Sequence, residues 1–355
     1  MEHEKCKRIF YLDVLRVISA VGVMCIHFSN RILGSAEAGN EGWVWYIICN
    51  VSGRFAVPVF FMVSGSLFLK PERGNDFRRI LKNNVLHVFI ALYFWSFVYA
   101  DWNLFLKMNS GAAFSWTIAK EYIKSLLMGP THLWFLFVLM GLYIITPFLS
   151  KIAENKKMME YFLLLWIVFG MIPGTLDPIN GINFVGEIIR KLKMTVVNGY
   201  CGYFLLGYYV SVYFQPKKKQ AVILTITGIA GFCFTCISTG LLSLNAGKYV
   251  ETYLDPLRIN CFVMAMAVFA GIRGMLEERK ISYVFESAIS GVAQNGLGVY
   301  LVHMLVFEVL QFCGVIGWLG NNVISLICAI IMTYLICYAI SVGIQKIPVI
   351  GKWIV

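Results

Sequence analysis

Residues 10–30, FYLDVLRVISAVGVMCIHFSN, form an apolar run long enough to cross a lipid bilayer, which takes about 20 residues of helix. The run nevertheless carries Asp13, Arg16 and His27. A charged side chain at the bilayer centre costs from about 2.5 to more than 10 kcal/mol, so an ionisable group in such a place calls for a function. Arg16 and His27 are eleven positions apart, roughly 1100° of helix, or three turns plus about 20°, so they share one face with about 16 Å between them along the axis. Asp13, three positions before Arg16, is within ion-pair reach of it. One account of this polar stripe is snorkelling, with Asp13 and Arg16 reaching one interface and His27 the other. Arg54, deep inside the second apolar run, cannot snorkel in comfort, and a hydrated interior explains all of these groups together.

The rest of the chain repeats the pattern of the first run. Of 355 residues, 59% are hydrophobic and 14% charged, and the mean hydropathy is +0.73, which marks an integral membrane protein. Ten segments reach spanning length, at 10–30, 43–69, 83–101, 132–150, 158–174, 195–214, 220–242, 257–275, 292–312 and 323–344. The expected fold is therefore all-α and polytopic, a single domain over residues 1–355 with about ten transmembrane helices. Lysines and arginines favour one set of alternate connections by about two to one, which predicts both termini in the cytoplasm. The longest connection includes FSWTIAKEYIKSLL, which reads as a short amphipathic helix at the interface. The N-terminus has the look of a signal-peptide start, but Asp13 and Arg16 interrupt its apolar stretch, so a retained anchor is expected.

A net charge of +11 suits anionic lipid headgroups better than nucleic acid, because the basic residues form short clusters between apolar runs. The densest cluster, KPERGNDFRRILK, holds Lys70, Arg73, Arg78 and Arg79; it fits either lipid or the phosphates of a nucleotide-bearing donor. Cys233 and Cys236 make an isolated C-x-x-C with no second ligand pair, and no metal site is expected.

Further polar residues punctuate the later spans. His303 sits mid-span in LGVYLVHMLVFEVL with Tyr300 one turn earlier, either functional or satisfied by a backbone carbonyl. His132 opens THLWFLFVLMGLYIITP beside Trp134, as an interfacial anchor or a site residue. In PVFFMVSGSLF the small residues Ser64, Gly65 and Ser66 permit a close helix approach. NGYCGYFLLGYY, with Asn198, Tyr200 and Tyr203, reads as an aromatic belt.

The Asp13-x2-Arg16-x10-His27 spacing, RFAVPVFFMVSGSLF from Arg54, HLWFLFVLMGLYIITP, GYFLLGYY and GLGVYLVH together resemble the membrane-bound acyltransferase 3 family along nearly the whole chain. The resemblance implies a bacterial plasma-membrane protein of about ten helices. Such a protein takes an acyl group, usually acetyl, from cytoplasmic acyl-CoA and gives it to a hydroxyl of a surface carbohydrate or its lipid-linked precursor. It also implies that Arg16 and His27 are essential, with no permanently bound cofactor. Transfer to an alcohol needs a base and positive charge for the developing oxyanion. His27 is the candidate base, with Arg16 and Asp13 beside it as catalytic residues. Arg54, His303, Tyr300, His132 and Trp134 are the candidates for substrate binding, and Lys70, Arg73, Arg78 and Arg79 those for the phosphates of acyl-CoA. Expected partners are acyl-CoA, the glycan acceptor and membrane lipids, without nucleic acid. Family members linked to moving small solutes keep a transporter-like reading open.

Overall fold

The computed structural model of the chain describes residues 9–70, 74, 76–214, 216, 218–276, 281–316 and 322–355. Among these, every regular element is helical. Eight helices are long and apolar enough to cross a membrane, and a bent pair supplies a ninth span. In chain order they are α1 (Phe10–Ser35), α2 (Trp43–Ser52) joined to α3 (Ala56–Phe68), α4 (Phe77–Asn109), α5 (Trp116–Met128) leading into α6 (Trp134–Ala153), and α7 (Lys156–Leu176). After the short α8 (Asn183–Lys191) and α9 (Cys201–Val212) come α10 (Lys218–Ala246), α11 (Ile259–Leu276), α12 (Tyr283–Gln294) bent by 58° against α13 (Gly296–Phe312), and α14 (Val323–Gln345).

The expected span at 195–214 takes a different form. Only Cys201–Val212 is α-helical, about 18 Å long and too short for a hydrocarbon core of about 30 Å. It does not need lipid-matching length, because Cys201 through Tyr208 are all buried in the protein. Its neighbour is α3, and the two backbones touch. A Cβ on Gly65 would lie 1.7 Å from the Phe204 carbonyl oxygen, and one on Gly207 would lie 1.9 Å from that of Met62. The small residues of PVFFMVSGSLF thus serve close helix packing, as their size suggested. The aromatic-belt reading of NGYCGYFLLGYY is corrected: Tyr203 is fully buried and donates to the Pro256 carbonyl at 2.6 Å, while Tyr200 packs on Phe61 at 4.7 Å.

At the centre stands α1, which packs against α2, α3, α11, α12, α13 and α14. Its closest neighbour is the break between α2 and α3, where a Cβ on Gly53 would lie 2.1 Å from the Gly22 carbonyl oxygen. The outside of the bundle is apolar, most plainly along α10, where Val222, Ile226, Ile229, Ile237 and Leu241 are exposed as lipid would require. Within the bundle, the hydroxyls of Ser66, Ser96 and Thr146 return to the carbonyl four residues back at 2.7–2.8 Å, which satisfies their protons without leaving the helix. The FSWTIAKEYIKSLL segment is helical in α5 and runs back along the end of α4, tied to it by Tyr122 donating to Asp101 at 2.7 Å and by the Lys107–Glu121 ion pair.

Candidate functional site

The stripe on α1 is built in three levels, starting at Asp13. That carboxylate is buried. One oxygen accepts from Arg16 Nη1 at 3.2 Å and the other from the Ser290 hydroxyl of α12 at 2.8 Å. Held on one edge by Asp13, the Arg16 side chain remains 33% exposed. The exposed part faces a cavity of about 460 Å³ whose polar lining includes Ser64 of α3, Asn84 and His87 of α4, Gln294 of α12 and Tyr300 of α13. Arg16 therefore lines a partly polar cavity, which favours the hydrated interior over snorkelling.

Tyr300 and Phe135 both line this cavity, with their rings 5.6 Å apart. Beyond Tyr300 is a cluster of three imidazoles from three helical segments. The His27 ring on α1 lies 5.3 Å from that of His303 on α13 and 6.2 Å from that of His132, which sits in the 3-10 turn Thr131–Leu133 ahead of α6. The rings of His132 and His303 are 5.6 Å apart. Tyrosines clamp the arrangement. The Tyr300 hydroxyl donates to the His132 carbonyl, and the Tyr99 hydroxyl donates to the Leu301 carbonyl at 2.9 Å while accepting from the Leu305 amide at 3.0 Å. His303 is fully buried and His132 nearly so, whereas His27 is half-buried and is the accessible member. Among the described residues no group of three His, Cys, Asp or Glu side chains is arranged to hold a metal ion, this cluster included.

A third polar level follows one turn further along α1 and α13. Glu308 accepts from the Trp102 indole N–H at 2.9 Å and lies 3.8 Å from Arg31, whose guanidinium is 5.8 Å from the centre of the Phe307 ring. Arg54 belongs to the same end of the molecule. It occupies the turn between α2 and α3, donating from Nε to Asn50 at 2.8 Å, from Nη1 to the Leu254 carbonyl at 3.2 Å and from Nη2 to Asn30 at 3.4 Å, with Glu251 at 3.9 Å. Asn50 in turn donates to the carbonyl of Ile26, the residue before His27, at 3.2 Å. Arg54 thus clasps the 251–254 segment and the helix break to the middle of α1.

The structure brings together Asp13 with Arg16, and His27 with His132, His303 and Tyr300. Trp134 turns aside, its ring packing on Tyr200 at 5.3 Å, and the next residue, Phe135, takes the place beside the cavity. Arg78 and Arg79 are exposed at the start of α4, in the same helix as Asn84 and His87, and Lys70 is half-buried nearby in sequence. Arg73 lies outside the described residues. Between Arg79 and the cavity the helix widens to a π-helical stretch, Ile80–Val85, an irregularity often found at functional sites. Sequence reasoning missed Tyr99, Asn84, Gln294 and the Arg31–Glu308–Trp102 group. The signal for the last was available, since Arg31 and Glu308 stand four and five positions beyond His27 and His303.

A family model described as an acyltransferase domain matches residues 9–342. No curated protein and no solved structure matches the chain.

Proposed function

The chain belongs to the acyltransferase 3 family of membrane acyltransferases, and from that premise we propose that it moves an acyl group, acetyl in the first instance, from cytoplasmic acyl-CoA to a hydroxyl of a surface carbohydrate or its lipid-linked precursor, in a bacterial plasma membrane. The observation that supports this reading most is the alignment of the Arg16 cavity, Tyr300 and the half-buried His27 along one face of α1. Arg16, steadied by Asp13, offers its open edge to a phosphate or carbonyl of the donor as a planar fork. Arg78 and Arg79 meet the nucleotide phosphates at the mouth, and the pantetheine arm extends past Asn84 and His87 towards Tyr300.

At the inner end, the acceptor oxygen attacks the thioester carbonyl as His27 takes the hydroxyl proton. The new C–O bond forms, the C–S bond breaks, and the proton passes to the departing thiolate, leaving an ester and free CoA. Arg31, Glu308 and Trp102 form a polar and aromatic rim suited to a sugar on the far side of the histidines. Arg54, with its donors already engaged, contributes by holding the helix break against α1 beside His27.

The test is transfer of label from radiolabelled acetyl-CoA to the membrane glycan fraction. Wild-type protein transfers label; His27→Ala, inserted to the same level, is expected to lose at least about a hundredfold in rate. Normal transfer by that variant removes His27 from the chemistry. A broken span, here the 58° bend between α12 and α13, also characterises solute transporters, which keeps transport as the second reading. Solute flux in proteoliposomes without acyl transfer decides for it.

A further inference from the structure

We propose that His303 is a positioning residue for His27, orienting its ring and sharing the positive charge that His27 acquires during transfer. This rests on the acyl-transfer reading. His303 Nδ1 is engaged by the carbonyl oxygen of Tyr300, which can only accept, so the ring proton sits on Nδ1 and Nε2 keeps its lone pair. That Nε2 is completely buried and has no hydrogen-bond partner. A core histidine kept only for packing has its polar atoms satisfied, because a buried unpaired nitrogen is costly. Here the protein pins one nitrogen and leaves the other bare, in a ring whose neighbours include two imidazoles.

The Nε2 of His132 is likewise buried without a partner, and of the two neighbours His27 is the one we assign to His303. His132 is fixed through its carbonyl by Tyr300, and its ring stacks edge-on against Tyr99 with centroids 4.6 Å apart. His27 lies nearer, at 5.3 Å, and is the less buried of the two. From that separation a turn of the His27 ring brings one N–H within hydrogen-bonding distance of His303 Nε2. The bond fixes the tautomer of His27, so that its other nitrogen faces the acceptor hydroxyl as a base, by the logic of a base oriented by a third group. When His27 takes the proton, its positive charge is shared with His303 through the same bond. His303 itself gains and loses no proton, and the bonds made and broken remain C–O and C–S.

Full-length wild-type, His303→Gln and His303→Leu proteins are compared in membranes, with acetyl-CoA as donor and transfer to the membrane glycan fraction as readout. The expected result is a fall in kcat of about a hundredfold for His303→Leu with the KM for acetyl-CoA within about twofold of wild type, and recovery of about tenfold in His303→Gln, whose amide oxygen accepts the same bond. His303→Phe replaces the leucine variant if that protein does not accumulate. Equal loss in the glutamine and apolar variants, loss expressed in KM, or no loss at all overturns the proposal. Wild-type protein that moves no acetyl group overturns the acyl-transfer reading itself, an outcome distinct from active wild type with indifferent His303 variants.

Discussion

Arg16 can work as a donor clamp because Asp13 neutralises it without covering it: the carboxylate binds one nitrogen at 3.2 Å and a third of the side chain stays open to the cavity. Removing the buried charge in Asp13→Asn loosens that orientation while leaving the arginine in place. We expect the KM for acyl-CoA to rise about five- to tenfold, on the order of 1 kcal/mol, with a smaller change in kcat. Arg16→Lys keeps the charge but loses the planar fork, and kcat/KM should fall about ten- to a hundredfold, as read from initial rates of CoA release. The Arg16–His27 relation was legible in the sequence because both lie on one helix, where spacing fixes direction. The meeting of His27 with His132 and His303 was not, since it depends on how three distant segments are set against one another, and a single sequence carries no record of that. An isolated histidine at the start of a span, such as His132, looks the same whether it faces lipid headgroups or two other imidazoles.

Among the helices, the element that most shapes the site is the interruption between α2 and α3. The apolar run 43–69 reads as one continuous span, and Gly53 beside Arg54 was the only sign of the turn there. That glycine is required by contact, since a Cβ would be driven into the Gly22 carbonyl at 2.1 Å, halfway between Arg16 and His27 on α1. Gly207 is constrained in the same way by α3, at 1.9 Å from the Met62 carbonyl oxygen. Gly53→Ala and Gly207→Ala are each expected to destabilise the protein by about 1–3 kcal/mol, seen as a lower Tm in detergent. Gly141→Ala, with nothing within 4 Å of the added carbon, serves as the control and should leave Tm unchanged or slightly raised. In Gly53→Ala the fall in activity should exceed that in Gly207→Ala, because only the former displaces the clasp from Arg54 to Ile26. The short α9 was misjudged in length for a related reason: hydropathy measures how apolar a segment is, and cannot say whether protein or lipid surrounds it.

For the molecule as a whole, the three polar levels on α1 define a direction, from the Arg16 cavity through the histidines to the Arg31–Glu308 rim. The lysine and arginine distribution is the ground on which we propose that the Arg16 end faces the cytoplasm, where acyl-CoA is made. Both sides can be reached with a membrane-impermeant maleimide after the native cysteines exposed among the described residues, Cys233, Cys313 and Cys328, are replaced by serine together with Cys6, which lies outside them. Asn84→Cys, on the cavity wall, should label only in inside-out vesicles, and acetyl-CoA should slow that labelling if the donor occupies the cavity. Arg31→Cys, half-exposed at the opposite end, should label only from the outside and be indifferent to acetyl-CoA. Labelling of Asn84→Cys from the outside would invert the assignment and require the donor to cross the membrane before reaction. Protection of Arg31→Cys in place of Asn84→Cys would put the donor on the rim we assign to the sugar, and the order of events along α1 would have to be reversed.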